Sequence, residues 1–261
     1  MQVNLAPKRF GNYYKRNIGR VLYKKPMAFF SEPPLISFTF DDFPRSALLA
    51  GGKILTERGL AGTYYVALGL MGSEGPSGPL FVAEDLADLQ AAGHELGCHT
   101  FTHCHSWDTD SSQFEDSVLK NRAELEKLFP QARFKSLSYP IAEPRVLTKW
   151  KVSKHFSACR AGGQTFNAKT ADLAQLSAFF LEKSRDRISA VKEMIDRNRA
   201  ARGWLIFATH DVTENPGPYG CTPGFFAEVV DYAISSGASI LPVAKALDNL
   251  LSSRMQANGV R

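Results

Sequence analysis

Cysteine and histidine are scarce in this chain, 4 and 6 of its 261 residues. Cys98, Cys104, Cys159 and Cys221 show none of the paired spacings of a structural zinc module, and they read as reduced, small packing residues. Only Cys98 and Cys104, close in sequence to His99 and His103, leave metal ligation open. No apolar run approaches the ~20 residues that span a bilayer. The first 31 residues hold seven Lys and Arg and no acid. Five of those bases, Lys15, Arg16, Arg20, Lys24 and Lys25, interrupt the stretch where a signal peptide would need an apolar core, so a cytoplasmic location is expected. Internal repeats, low-complexity tracts and interdomain linkers are all missing, which leaves one domain as the simplest arrangement. No motif for nucleic acid accompanies the positive balance, and no nucleic-acid partner is expected.

The net charge of +5 sits in a basic N-terminal arm, residues 1–31. Residues 32–261 carry 24 Lys and Arg against 26 acids and form a slightly acidic folded body. The arm also holds Phe10, Tyr13, Tyr14, Tyr23, Phe29 and Phe30. Such a segment suits peripheral contact with anionic lipid or packing across the base of the fold.

Strand and helix patterns alternate from end to end. Leu35–Phe40 is an apolar, aromatic run of the kind buried on both faces of a parallel sheet. Further strands are predicted at Thr63–Leu68, Glu95–Thr100, Ser136–Pro140, Phe156–Arg160, Trp204–Thr209 and Ser239–Leu241. Helices are predicted at Ser46–Arg58, Ala83–Ala92, Phe114–Phe129, Ile188–Ala201, Phe225–Ser235 and Val243–Leu251. Residues 173–181 fit strand or helix equally well. Seven or so such units make an α/β fold with a parallel sheet, closed or nearly closed as a barrel.

Parallel α/β folds place their chemistry just past the carboxyl ends of the strands. Three predicted strands end in groups suited to it: Asp41-Asp42 after the first, His99 and His103 after the third, and His210 after Trp204–Thr209. Adjacent carboxylates repel unless a cation or a proton relieves them. In a helical turn, His99 and His103 would share one face. Two imidazoles and a carboxylate are a common set for zinc or another divalent ion, with positions left open for water and substrate.

Thr39-Phe40-Asp41-Asp42, the run from Gly93 to His103 (Gly-His-Glu-Leu-Gly-Cys-His-Thr-Phe-Thr-His) and Phe207-Ala208-Thr209-His210 together resemble the motifs of the polysaccharide deacetylases of the NodB-homology type, carbohydrate esterase family four. The likeness runs from about Leu35 to Leu250. It implies a distorted (β/α) barrel of seven to eight units and makes 32–261 a catalytic domain. It implies Asp42, His99 and His103 as ligands of a divalent metal, zinc first, with Asp41 as general base toward water and His210 as the acid that protonates the departing amine. The expected substrate is an N-acetylated carbohydrate, with another amide (a formylated amino sugar or a ureide) or a non-catalytic carbohydrate-binding relative as alternatives. The middle motifs depart from the family. Ser138-Tyr139-Pro140-Ile141-Ala142 stands where many relatives have Arg-Pro-Pro-Tyr-Gly, so Ile141 would supply the oxyanion N–H and Ser138 cannot replace the arginine. Arg160, ending the predicted fifth strand, is the candidate for the missing charge. No Asp-x-x-Asp-Trp motif is present, and Asp172 or Asp186 among others would orient His210. The loop 211–219 could wall the cleft or serve as a rigid connector.

Overall fold

The structure, a computed structural model, describes residues 18–29, 31–141 and 143–259; the remainder of the arm, Ala142 and residues 260–261 lie outside the described residues. β1 (Pro26–Phe29) belongs to the arm. The main sheet is built from β2 (Leu35–Phe40), β3 (Thr63–Val66), β6 (Glu95–Cys98), β7 (Ser136–Ser138), β8 (Ala158–Arg160), β10 (Phe179–Phe180), β11 (Trp204–Thr209) and β12 (Ser239–Ile240). Its order is β10-β11-β2-β3-β6-β7-β8, every pairing parallel. β4 (Glu74–Gly75) and β5 (Gly78–Pro79) form a small hairpin, and β9 (Lys169–Asp172) pairs antiparallel with β1.

β2 is the centre of the sheet. One edge pairs with β11 in register from Leu35↔Trp204 to Phe40↔Thr209. The other edge is divided, with β12 opposite Leu35 and Ile36 and β3 opposite Thr39 and Phe40. That division is one source of the barrel's distortion. The sheet also curls back on itself. The stretch leading into β10 returns to β8, where Cys159 N donates to Leu173 O, Leu176 N to Cys159 O and Ala161 N to Leu176 O. Residues 173–181, ambiguous in sequence, are thus a turn, a bridge, the short β10 and one 3₁₀ turn.

The outer face of the sheet is aromatic. Phe38 stacks on Phe207 at 5.4 Å and meets Phe226 edge-on at 5.5 Å, and Phe40 stacks on Tyr64 at 4.6 Å. Helices cover this face: α1 (Lys53–Thr56, entered through a π-helical turn at Ala47–Gly52), α2 (Ala83–Ala91), α3 (Ser111–Leu128), α4 (Val146–Val152), α5 (Ile188–Ala200) and α6 (Pro223–Ser235). α6 starts as its sequence dictates. Pro223 occupies the first turn, where no N–H is needed, and Thr222 caps it by accepting from Phe225 N. The opposite face alternates with the aromatic one and is partly polar. Buried Glu95 accepts from Thr63 Oγ1, Ser136 Oγ and Ala244 N, the last at the start of α7 (Val243–Gly259). A carboxylate can stay buried only with such partners.

The described part of the arm lies against the body. Met27 of β1 is buried, and Lys149 Nζ, fully buried on α4, binds Asp172 Oδ2 at 2.5 Å, Gly19 O at 2.8 Å and Leu22 O at 3.2 Å. Among the described residues no helix is long and apolar enough to cross a membrane.

Candidate metal centre and active site

Five strand ends deliver the site. Asp41 and Asp42 follow β2, His99 follows β6, Ser138 ends β7, Arg160 ends β8 and His210 follows β11. Two of the connecting turns require left-handed backbone at residues other than glycine. Asp42 and Phe43 have φ of 60° and 54°, and Thr100 and His103 have φ of 60° and 51°. Such residues cost on the order of 1–3 kcal/mol each and persist only where the surroundings hold them. In consequence the predicted helical turn at 99–103 does not form. Two left-handed residues fold the segment back, Cys104 N bonds Thr100 Oγ1, and the two imidazoles still meet at 5.0 Å between centroids.

Asp42, His99 and His103 bring one ligand atom each within 4.8 Å of one another. Asp42 Oδ1 is 3.2 Å from His103 Nε2 and 3.4 Å from His99 Nε2, is buried, and has no hydrogen-bond partner. His99 Nδ1 lies 2.8 Å from Ser138 O. A carbonyl only accepts, so Nδ1 carries the proton and Nε2 presents a lone pair. Two lone pairs therefore face each other across 3.4 Å inside the protein, an arrangement that calls for a cation between them. The donor set of two imidazole nitrogens and one carboxylate oxygen fits a divalent transition metal. Burial also pushes the His99 imidazolium down to about 4, which keeps the ring neutral and able to ligate near neutral pH.

Asp41 is turned away from that cluster. Its N–H donates to Thr209 O at 2.9 Å, and its Oδ1 accepts from Arg160 Nη2, which also donates to Ser138 Oγ at 2.6 Å. Burial alone would raise the Asp41 pKa, but the Arg160 guanidinium and, to a smaller extent, His99 and His210 together outweigh it, and the carboxyl falls to about 2. Arg160 is itself buried, with its guanidinium carbon 5.0 Å from the Tyr65 ring centroid and 5.8 Å from that of Phe180. The structure thus places Arg160 against Asp41, and the serine at the arginine position becomes a second acceptor for the same guanidinium.

His210 approaches the other oxygen of Asp42, with Nε2 at 3.8 Å from Oδ2. Its backbone N donates to Tyr219 O and its ring lies 5.2 Å from the Tyr219 ring. The loop 211–221 therefore backs the histidine. Asp211 ties the loop down by accepting from Gly217 N at 2.7 Å, and Cys221 N donates to Asp211 O. Neither acid expected to orient His210 reaches it. Asp172 binds Lys149, and Asp186 is exposed. Glu182, just past β10, is the acid that sequence reading missed. Its pKa is raised by burial and held back in part by the charge of His210, and Glu182 Oε2 and His210 Nδ1 are both buried without a hydrogen-bond partner. No local signal marked it, because the strand preceding it was itself unreadable. Ile141, three residues past Ser138, has φ of 70° and an exposed side chain. A cavity of about 540 Å³ opens one loop away, lined by Arg45, Leu49, Val212 and Glu214 among others and by none of the metal-cluster residues.

This arrangement, a curled parallel sheet with an Asp-His-His cluster at its carboxyl edge, has the fold of the polysaccharide deacetylases. Residues 31–157, the segment that holds Asp41, Asp42, His99 and His103, match the polysaccharide deacetylase family. Solved structures extend the fold likeness across the chain. A chitin deacetylase from the fungus Colletotrichum lindemuthianum superposes with a TM-score of 0.60 at 14% identity, covering 84% of this chain and 89% of that one. A family 4 acetyl xylan esterase from Clostridium thermocellum, in complex with a cobalt ion, gives 0.55 at 20% identity, covering 83% and 91%. Bacillus subtilis PdaA, a family 4 carbohydrate esterase, gives 0.56 at 12% identity, covering 96% and 92%. No curated protein matches the chain.

Proposed function

We propose that this chain is a metal-dependent hydrolase that removes N-acetyl groups from an amino sugar or amino-sugar polymer. The observation that carries the reading is the division of labour at β2. Asp42 turns one oxygen to His99 and His103 and the other toward His210, while Asp41 is held by Arg160. Asp42, His99 and His103 would hold the ion, and zinc is the metal proposed. When bound, it would supply Lewis acidity toward an acyl oxygen and toward water.

The remaining steps belong to the protein. Asp41, ionised throughout the working pH range, accepts a proton from water as the acyl carbon is attacked. Arg160 limits its basicity but keeps its charge and fixes its direction. His210 delivers a proton to the departing nitrogen, the role of a general acid placed on the far side of Asp42. The N–H of Ile141, set by its left-handed backbone, is the proposed donor to the developing oxyanion.

The test is a pair of variants scored for metal content and for acetate released from a panel of acetamido sugars. Asp42→Ala is expected to lose most of the bound ion. Asp41→Asn should keep the ion and lose activity by about 10²- to 10⁴-fold. Equal metal loss in both would make both carboxylates ligands and remove Asp41 as the base.

A further inference from the structure

On the flank of the molecule the arm and α4 together leave an apolar surface uncovered. Val21, Leu22, Tyr23, Leu147 and Trp150 are each between 41% and 66% exposed. Buried Lys149 explains why these groups point outward. It draws the carbonyls of Gly19 and Leu22 inward, and the side chains at 21–23 are left facing solvent. Tyr23 lies 6.1 Å from Trp150, ring to ring, and Lys154 Nζ sits 3.3 Å above the Trp150 ring. Leu147, Trp150 and Lys154 follow one another at spacings of three and four, so they share one side of this turn-rich segment.

The charge around these rings has one sign. Lys154 lies over the Trp150 ring, Lys24 and Lys25 follow Tyr23 directly in sequence, and Lys8, Arg9, Lys15 and Arg16 precede it in a sequence that holds no acid before Glu32. The acids nearby are engaged, Glu143 by Arg20 and Asp172 by Lys149. An indole and a phenol beside aliphatic side chains and lysines match the headgroup level of a bilayer, where amphipathic rings settle and cations meet acidic lipid.

We propose that Tyr23, Leu147, Trp150 and Lys154 form a docking surface for an anionic lipid bilayer. The existence of this surface does not depend on which reaction the site performs.

Sedimentation of the full chain with vesicles tests it. The wild-type chain should bind vesicles containing phosphatidylglycerol, bind pure phosphatidylcholine far less, and release as salt rises. Lys154→Gln should weaken binding by about fivefold, the worth of one cation at an anionic surface. A Tyr23→Ala/Trp150→Ala double variant should weaken it by on the order of tenfold or more with an unchanged unfolding midpoint, because both rings are exposed. Absence of binding to anionic vesicles would overturn the proposal. So would a double variant that binds as tightly as the wild-type chain, which would assign contact to the arm's charge alone. A dimer in lipid-free solution that Trp150→Ala dissociates would assign the surface to a second copy of the chain.

Discussion

Asp41 and Asp42 are neighbours in sequence with opposite electrostatic surroundings, and Arg160 makes the difference. Burial of Asp41 costs enough that its ionised form depends on the cationic and imidazole groups around it, Arg160 first and His99 and His210 after it, which together bring the carboxyl down to about 2. Removing one member of a buried ion pair leaves the other uncompensated, at a cost of about 3–5 kcal/mol. Arg160→Met should therefore lose stability in that range, read by urea unfolding, because Asp41 and Ser138 Oγ both lose their donor. Adding Asp41→Asn removes the stranded charge, so the double variant should recover most of the loss. A double variant as unstable as Arg160→Met would show that packing around Tyr65 and Phe180, not charge, sets the penalty. Glu182 has a different standing. It is half-buried, its pKa is raised first by that burial and slightly by the charge of Asp41 and held back in part by His210, and its buried Oε2 has no hydrogen-bonded contact.

At the scale of elements, the site depends on how tightly β3 and β6 approach each other. Gly97 faces Tyr65, and a Cβ there would lie 2.4 Å from two atoms of that ring. Tyr65 is fully buried and packs beneath Arg160, so it cannot yield without disturbing the Asp41 pair. Gly97→Ala is expected to destabilise by about 1–3 kcal/mol through overpacking and to lower acetate release along with it. Gly224→Ala, in the first turn of α6 with nothing within 4 Å of the added carbon, should be neutral or stabilise by about 0.4–1 kcal/mol. Equal effects at the two glycines, by thermal or urea unfolding, would discard the packing argument. β2 and β11 were legible in sequence because their aromatic and aliphatic runs, with only small hydroxyl residues between, suit strands buried along their whole length, and their ends then located Asp41, Asp42 and His210. Arg160 was legible as a charge at a strand end beside a missing one. The turn at 99–103 was not, since left-handed Thr100 and His103 carry no glycine to announce them. The π-helical entry to α1 and the bridge through Leu176 were hidden for a related reason, being set by neighbours far away in sequence.

At the scale of the whole molecule, a buried histidine links stability to acid. His94 sits in the core between α1 and β3. Its Nδ1 accepts from Gly62 N at 2.9 Å, its ring meets Tyr64 edge-on at 5.2 Å, and its Nε2 is buried without a partner. Protonation would set two N–H groups against each other at Nδ1 and place a cation in an apolar pocket, and burial lowers the pKa from 6.5 to about 4. The folded chain therefore binds this proton less readily than the unfolded chain. The stability that neutral His94 contributes is full above about 6.5, declines as pH falls through the interval, and is lost by about 4, where the folded form is protonated too. At about 1.4 kcal/mol per pH unit, the interval is worth about 3 kcal/mol. His94→Asn keeps an acceptor for Gly62 N and cannot take up the proton, so it isolates this contribution. Urea unfolding of both proteins with chelator present, at pH 7 and near pH 4.5, should show the stability gap between them shrinking by about 2–3 kcal/mol on acidification. His99, also lowered to about 4, titrates in both proteins and drops out of the comparison. A gap that stays constant with pH would mean that His94 is protonated with equal ease in the folded and unfolded chain, and that the pocket beside Tyr64 admits the charge.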